Sequence, residues 1–200
     1  MGNTSSLVHS LIAQRRTVRT YADTPIPDAV LDRVVSSALE APSAFNLQLR
    51  DVVVVTDPAL RQALTDSSGQ PQFAAAPAVL VFVGRSELWP EDAEEILGAK
   101  ADYVRNYKQQ QTEQQRVKAA IIDATLAAGT ALIAAQAEGL VTNPTTGWDE
   151  HAIKDIIGLG DRKDRSVAVI VAMGYPDPAA PVPAHPGRQA DRRVSNSYAK

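Results

Sequence analysis

Residues 41–55 read APSAFNLQLRDVVVV. Val52 to Val55 form a β-branched run with no polar alternation, which predicts a strand over 51–56 covered on both faces. The residues before it, Pro42 and Ser43 with the uncharged amides Asn46 and Gln48, are types that turn a chain. A loop therefore feeds a buried strand, and such a strand needs partners of its own kind.

Two further apolar runs supply them, Ala78 to Gly84 and Ser166 to Met173, with a shorter one from Leu140 to Pro144. Helical spacing separates them. Leu7, Val8, Leu11 and Ile12 predict a helix over 5–16 ending in basic residues, and PIPD at 25–28 opens a second that carries Leu31, Val34, Val35, Ala38 and Leu39 up to Glu40. Asp57-Pro58 starts a short helix bearing Leu60 and Leu64. A long alanine-rich helix runs from Arg116 to Gly139, and TTGWD caps another over 150–157. Strands and helices mixed in this order belong to an α+β or α/β sheet.

Residues 85–115 change character, with Trp89, Tyr103, Val104 and Tyr107 set among charged residues and the run QQQTEQQ. They read as a solvated helix pair. Beyond Gly174 the chain becomes proline-rich without hydrophobic periodicity, as a disordered tail or an arm lying on a neighbouring subunit would.

Composition narrows the chemistry. Two hundred residues, 44% hydrophobic and 22% charged, suit a single soluble globular domain, and a net charge of −3 argues against a nucleic-acid partner. The N-terminus lacks a signal-peptide pattern, so a cytoplasmic protein is expected. The longest uncharged run, Ala124 to Ala137, falls short of the roughly 20 residues that span a bilayer, which favours a core helix and no membrane partner.

There is no cysteine, and His9, His151 and His185 lack metal-ligand spacing, so no metal site is expected. No GxSxG, GxxxxGK[ST] or GxGxxG occurs; Gly158 and Gly160 follow a helix and lack the third glycine. What remains is a set of basic and amide residues. An enzyme so equipped would take its chemistry from an organic cofactor. Arg15, Arg16 and Arg19 with Arg192 and Arg193 would suit a phosphorylated one; the bland alternative is a helix terminus and a solubilised tail.

Taken together, RRTVRTY at 15–21, APSAFNLQ at 41–48 leading into the valines, PTTGWD at 144–149, VAVIVAMGYP at 167–176 and the late arginine pair resemble the nitroreductase family of FMN-dependent oxidoreductases. The resemblance implies an α+β fold with a central, mostly antiparallel sheet flanked by helices. It also implies a homodimer with two FMN sites at the subunit interface. Residues 1–175 would form the FMN-binding domain and 176–200 an arm exchanged onto the partner.

Carried onto this sequence, Arg15, Arg16, Thr17 and Arg19 would contact the FMN phosphate, ribityl chain and pyrimidine edge. An arginine beside flavin N1 and O2 would stabilise the charge that develops there on reduction. Pro42, Ser43, Ala44 and Asn46 would approach the flavin from the other subunit. Gln72, with Gln70 as a neighbouring possibility, would meet the pyrimidine edge. Pro144, Thr145, Thr146 and Gly147 would run beside the isoalloxazine, and Arg193 with Arg192 would hold phosphate.

Two departures stand out: the family's QPW is Gln48-Leu49-Arg50 here, and an often basic position is Asp191. The implied activity is ping-pong transfer of hydride from NADH or NADPH through flavin N5 to a nitroaromatic, a quinone or a similar small-molecule acceptor, with no side chain required as general acid or base. The alternatives are other flavin chemistry on the same fold, such as dehalogenation or flavin fragmentation, and a flavin-binding module with little turnover.

Overall fold

The computed structural model describes residues 4–181, 183–189, 192–195 and 197. In chain order the elements are α1 (Thr4–Gln14), α2 (Asp28–Leu39), β1 (Arg50–Val55), α3 (Pro58–Ser68), α4 (Gln72–Ala75), β2 (Ala78–Arg85), α5 (Ala93–Leu97), α6 (Ala101–Gln109), α7 (Glu113–Ala137), β3 (Val141–Thr145), α8 (Glu150–Ile156) and β4 (Arg165–Gly174). The four strands form one sheet in the order β1-β2-β4-β3, antiparallel at every pairing. This is an α+β fold.

The period of two along β2 divides the core. Ala78, Leu80 and Phe82 face one side, where α2 brings Leu31, Val34 and Ala38 and α7 brings its alanines. Val79, Val81 and Val83 face the other, packed with Leu64 of α3, Phe73 of α4 and Ile153 of α8. Both faces of β2 are buried, as its unbroken apolar run predicts. β1 is different: it lies at the sheet edge, and Val54 is 40% exposed. The valine run therefore overstates its cover, because the coverage of an edge strand depends on neighbours the run does not encode.

Helix ends follow local chemistry. Asp57 accepts from the Ala59 and Leu60 amides with Pro58 in the first turn, and Asp149 likewise caps α8. Thr112 and Gln115 form a capping box that starts α7 at Glu113, three residues ahead of the sequence expectation. In the other direction, α1 stops at Gln14. Thr17 bridges to Thr142 beside β3, and the Val18 amide donates to Thr142 O at 3.0 Å, so the RRTVRTY segment runs extended along the sheet edge. At its far end Tyr21 bridges to Pro176, where the tail begins.

Among the described residues, α7 alone is long and apolar enough to cross a membrane. It lies instead against the sheet through Ala120, Ala124, Ala127, Ala128, Ala131 and Ala135. Small side chains let the helix backbone approach closely. At Gly84 of β2 the approach is so close that a Cβ would stand 2.7 Å from Ala120 C and 2.8 Å from its oxygen. Residues 85–109 form short helices as expected, but not a solvated pair. Ala93, Leu97, Ala101 and Val104 make a small separate core with Leu47 and Leu49.

Gly84→Ala is expected to cost about 1–3 kcal/mol, the typical penalty for forcing extra volume into a packed site. Urea denaturation measures it. Undiminished stability would mean that α7 moves away from β2 without penalty.

Candidate functional site

The outer strand β3 carries a connected set of polar side chains. Asn143 and Thr145 are buried, at 1% and 8% exposure, and point the same way along the strand. With the Asn143 amide oriented to satisfy both ends, its oxygen accepts from Arg19 Nε at 3.1 Å and its nitrogen donates to Thr145 Oγ1 at 2.9 Å. Gln72, 3% exposed at the start of α4, donates to Thr145 Oγ1 at 3.3 Å and to Gln70 Oε1 at 2.6 Å. Thr145 Oγ1 thus accepts twice, which leaves its proton to donate outward. Gln70 reaches on to Gly147 O at 3.4 Å.

Three separated segments, RRTVRTY, GQPQ and NPTTG, are joined by this network. Pro144 fits an edge strand because it has no amide to offer a further neighbour. Gly147 has φ +147° with nothing within 4 Å of where a Cβ would stand, so its backbone faces open space. Thr146 beside it is exposed.

The arginines divide by side. Arg16 Nη1 donates to Ala13 O at 2.7 Å and Arg15 O at 2.9 Å, closing the end of α1 as the bland reading has it. Arg16, Val18 and Thr20 share a small cavity with Gln136 and Pro176. Arg15 is different. Its Nη1 is buried without a partner, and its pKa is lowered first by burial and then by the charges of Arg188 and Arg16. Among the described residues no carboxylate pairs with it. A partly buried guanidinium with an unpartnered nitrogen beside like charge is costly unless an anion arrives. Arg192 and Arg193 are exposed, and Asp191 lies outside the described residues.

Arg188 and Asn143 belong with this group and were not anticipated. Asn143 was signalled by an amide inside a strand, where a buried polar group must find partners. For Arg188 the one local cue is the turn at Gly187, φ +78°, that ends the proline-rich run.

Pro42 to Asn46 lie elsewhere. They precede β1, at the opposite edge of the sheet from β3, three strand spacings or roughly 14 Å away. One chain therefore does not bring the two halves of the expected site together. Pro42, Ala44 and Asn46 are exposed, and Phe45, Asn46 and Gln48 all have positive φ, 56°, 57° and 51°. For residues with a Cβ, left-handed backbone costs roughly 1–2 kcal/mol each.

Side-chain contacts hold this wall. Ser43 Oγ accepts from the Gln48 amide at 3.0 Å, and the buried Asp123 of α7 accepts from the Ala44 amide. Burial raises the Asp123 pKa, opposed by that bond and by Arg50 and Lys108. Arg50, at 4% exposure, donates through Nη2 to Leu39 O at 2.5 Å and Ala41 O at 2.7 Å, where α2 ends. Arg50 is thus a brace for the wall, and burial lowers its pKa.

The family model described as the nitroreductase family matches residues 12–175. An NADH dehydrogenase of Thermus thermophilus is 32% identical over 173 residues, covering 82% of this chain and 83% of its own. Among solved structures, the ydfN protein of Bacillus subtilis, described as a nitroreductase, superposes with a TM-score of 0.85 at 24% identity over 98% of this chain and 100% of its own. A nitroreductase-type protein of Exiguobacterium sibiricum, solved in complex with FMN, gives 0.75 at 18% over 88% and 93%. The two solved structures show the shared fold.

Arg50→Met keeps the volume but strips the carbonyls of Leu39 and Ala41 of their donor. It is expected to cost about 1.5–3 kcal/mol, the range for hydrogen bonds to a charged group. Hydrogen exchange should quicken over 41–48 and not over β2. Unchanged exchange in that loop would remove the brace.

Proposed function

The chain belongs to the nitroreductase family, a family of NAD(P)H-dependent flavin oxidoreductases, and we propose that it binds FMN and passes reducing equivalents from NADH or NADPH to a small-molecule acceptor such as a nitroaromatic or a quinone. Bound FMN would supply the redox chemistry, taking hydride at N5 and giving it up to the acceptor in a ping-pong cycle. The observation that carries this reading is Arg15, whose buried Nη1 lacks a partner beside the charge of Arg188. A phosphate dianion is the group that best discharges such a pair.

On this reading Arg15 and Arg188 hold the phosphate, with Arg192 and Arg193 further along the same arm, while Arg16 shapes the helix end behind them. Thr17 positions the segment through its bridge to Thr142. Arg19, fixed by Asn143, and the Thr145 hydroxyl, whose proton is left over, offer donors to the pyrimidine edge, while Gln72, with both amide protons engaged, holds Thr145 in place. Arg19 is exposed and positively charged, placed to offset negative charge developing on that edge. Pro144, Thr145, Thr146 and Gly147 form the wall beside N5, with Gly147 leaving the backbone approachable.

Pro42, Ser43, Ala44 and Asn46 would complete the site from a second subunit, since on their own chain they stand at the far edge of the sheet. A homodimer also accounts for exposed apolar side chains, Leu7, Val8 and Ile12 on α1 and Ile122 and Leu126 on α7. Exchange of the arm from Pro176 onward belongs to the same assembly. A cytoplasmic setting would supply the reduced nicotinamide this reaction needs.

Purified protein supplied with FMN should show a bound-flavin visible spectrum that bleaches with NADH or NADPH and recovers on adding a quinone. A protein that takes up no FMN sinks the proposal. Arg15→Ala and Arg188→Ala should each weaken FMN by about 1.5–3 kcal/mol, roughly ten- to 150-fold in Kd. Arg193→Ala is expected to weaken it less, and fluorescence titration of FMN separates the three.

A further inference from the structure

A second cavity, apart from the β3 network, lies between α6, α7 and the 44–49 loop. It measures about 140 Å³ and is lined by Phe45, Tyr107, Lys108, Arg116 and Asp123 among others. Engineered protein cavities of about 150 Å³ accept benzene. One end is aromatic: Phe45 and Tyr107 meet edge to face at 5.5 Å, each a little under half exposed.

The other end is cationic and incompletely satisfied. Lys108 is 5% exposed, and its Nζ makes one long contact, 3.4 Å to Glu87 O, leaving donors free. Arg116 Nη1 donates to Gln111 O at 2.8 Å, but its Nε is buried with no partner. The one carboxylate in the lining, Asp123, accepts from the Ala44 amide and forms no ion pair with either cation among the described residues. Lys108 and Arg116 against Asp123 leave the lining one positive charge in excess. Burial lowers the Lys108 pKa, reinforced by Arg116 and opposed by Glu87 and Asp123.

We propose that this cavity is an acceptor subsite for an aromatic carboxylate, its ring on the Phe45–Tyr107 pair and its carboxylate accepting from Lys108 Nζ and Arg116 Nε. A monoanion neutralises the lining, and the volume limits the ligand to a single ring. Reduction of such an acceptor rests on the function proposed above; its binding rests on the cavity alone. For a nitrobenzoate the first step would be ArNO2 + NADH + H+ → ArNO + NAD+ + H2O, the nitro group losing one oxygen as water and taking two electrons.

Benzoate and neutral benzamide, titrated calorimetrically into the FMN-supplied protein, probe the binding. Benzoate should bind at least about ten-fold tighter, and Lys108→Met and Arg116→Gln should each erase most of that difference. In turnover, the ratio of kcat/KM for 4-nitrobenzoate over nitrobenzene should fall by about the same factor in either variant. A purely structural role would lower both substrates together and leave the ratio unmoved, which overturns the proposal, as does equal binding of benzoate and benzamide. Lys108-dependent benzoate binding without turnover of either nitro compound would uphold the subsite and remove the redox reading.

Discussion

The contact on which the rest depends is the approach of α7 to the centre of the sheet. Its alanine stripe brings a helix backbone almost onto β2 and β4, and the strands answer with Gly84, where no side chain could fit. Buried alanines contribute little apolar area each. Their value lies in letting main chains pack closely over a long contact. From this fixed helix the molecule hangs two functional supports, since α7 carries Asp123 to the Ala44 amide and places Arg116 beside the same loop. The wall before β1 is thereby referred to the rigid core and not left to the loop's own preferences.

The sheet order then dictates where chemistry can happen. With β1 and β3 at opposite edges, the polar network of Arg19, Asn143, Thr145 and Gln72 and the wall of Pro42 to Asn46 cannot serve one ligand within a chain. In the proposed homodimer, ligand binding would be tied to assembly, because a cofactor held between subunits stabilises the pair that holds it.

Much of the fold was legible because its signals are local. Asp57-Pro58 and TTGWD announce their helices through capping chemistry, and the apolar runs at 78–84 and 166–173 announce strands covered on both faces. The failures have non-local causes. Helix α1 ends early because Thr17 pairs with Thr142, a partner 125 residues away. Val54 is exposed because β1 is an edge, which no window of sequence states. The start of α7 is written locally, for Thr112 and Gln115 spell a capping box. In the site, residue types were legible but their sides were not: period-two alternation in an extended segment turns Arg16 away from Arg15. Arg50 reads as a charge on a strand and proves to be a brace.

The three positive φ angles before β1 have a further meaning. At Phe45 a glycine would relieve roughly 1–2 kcal/mol of backbone strain. It would also enlarge the conformational freedom of the unfolded chain, at a cost of roughly 0.5–1 kcal/mol. The second offsets about half of the first and the lost contact with Tyr107 offsets most of the rest, so the stability of the fold is almost indifferent to whether a ring stands there. Phe45 is exposed, touches Tyr107 and packs into none of the buried cores. Its contribution is to the surface that an incoming molecule meets, and the loop holds that surface in shape before anything arrives.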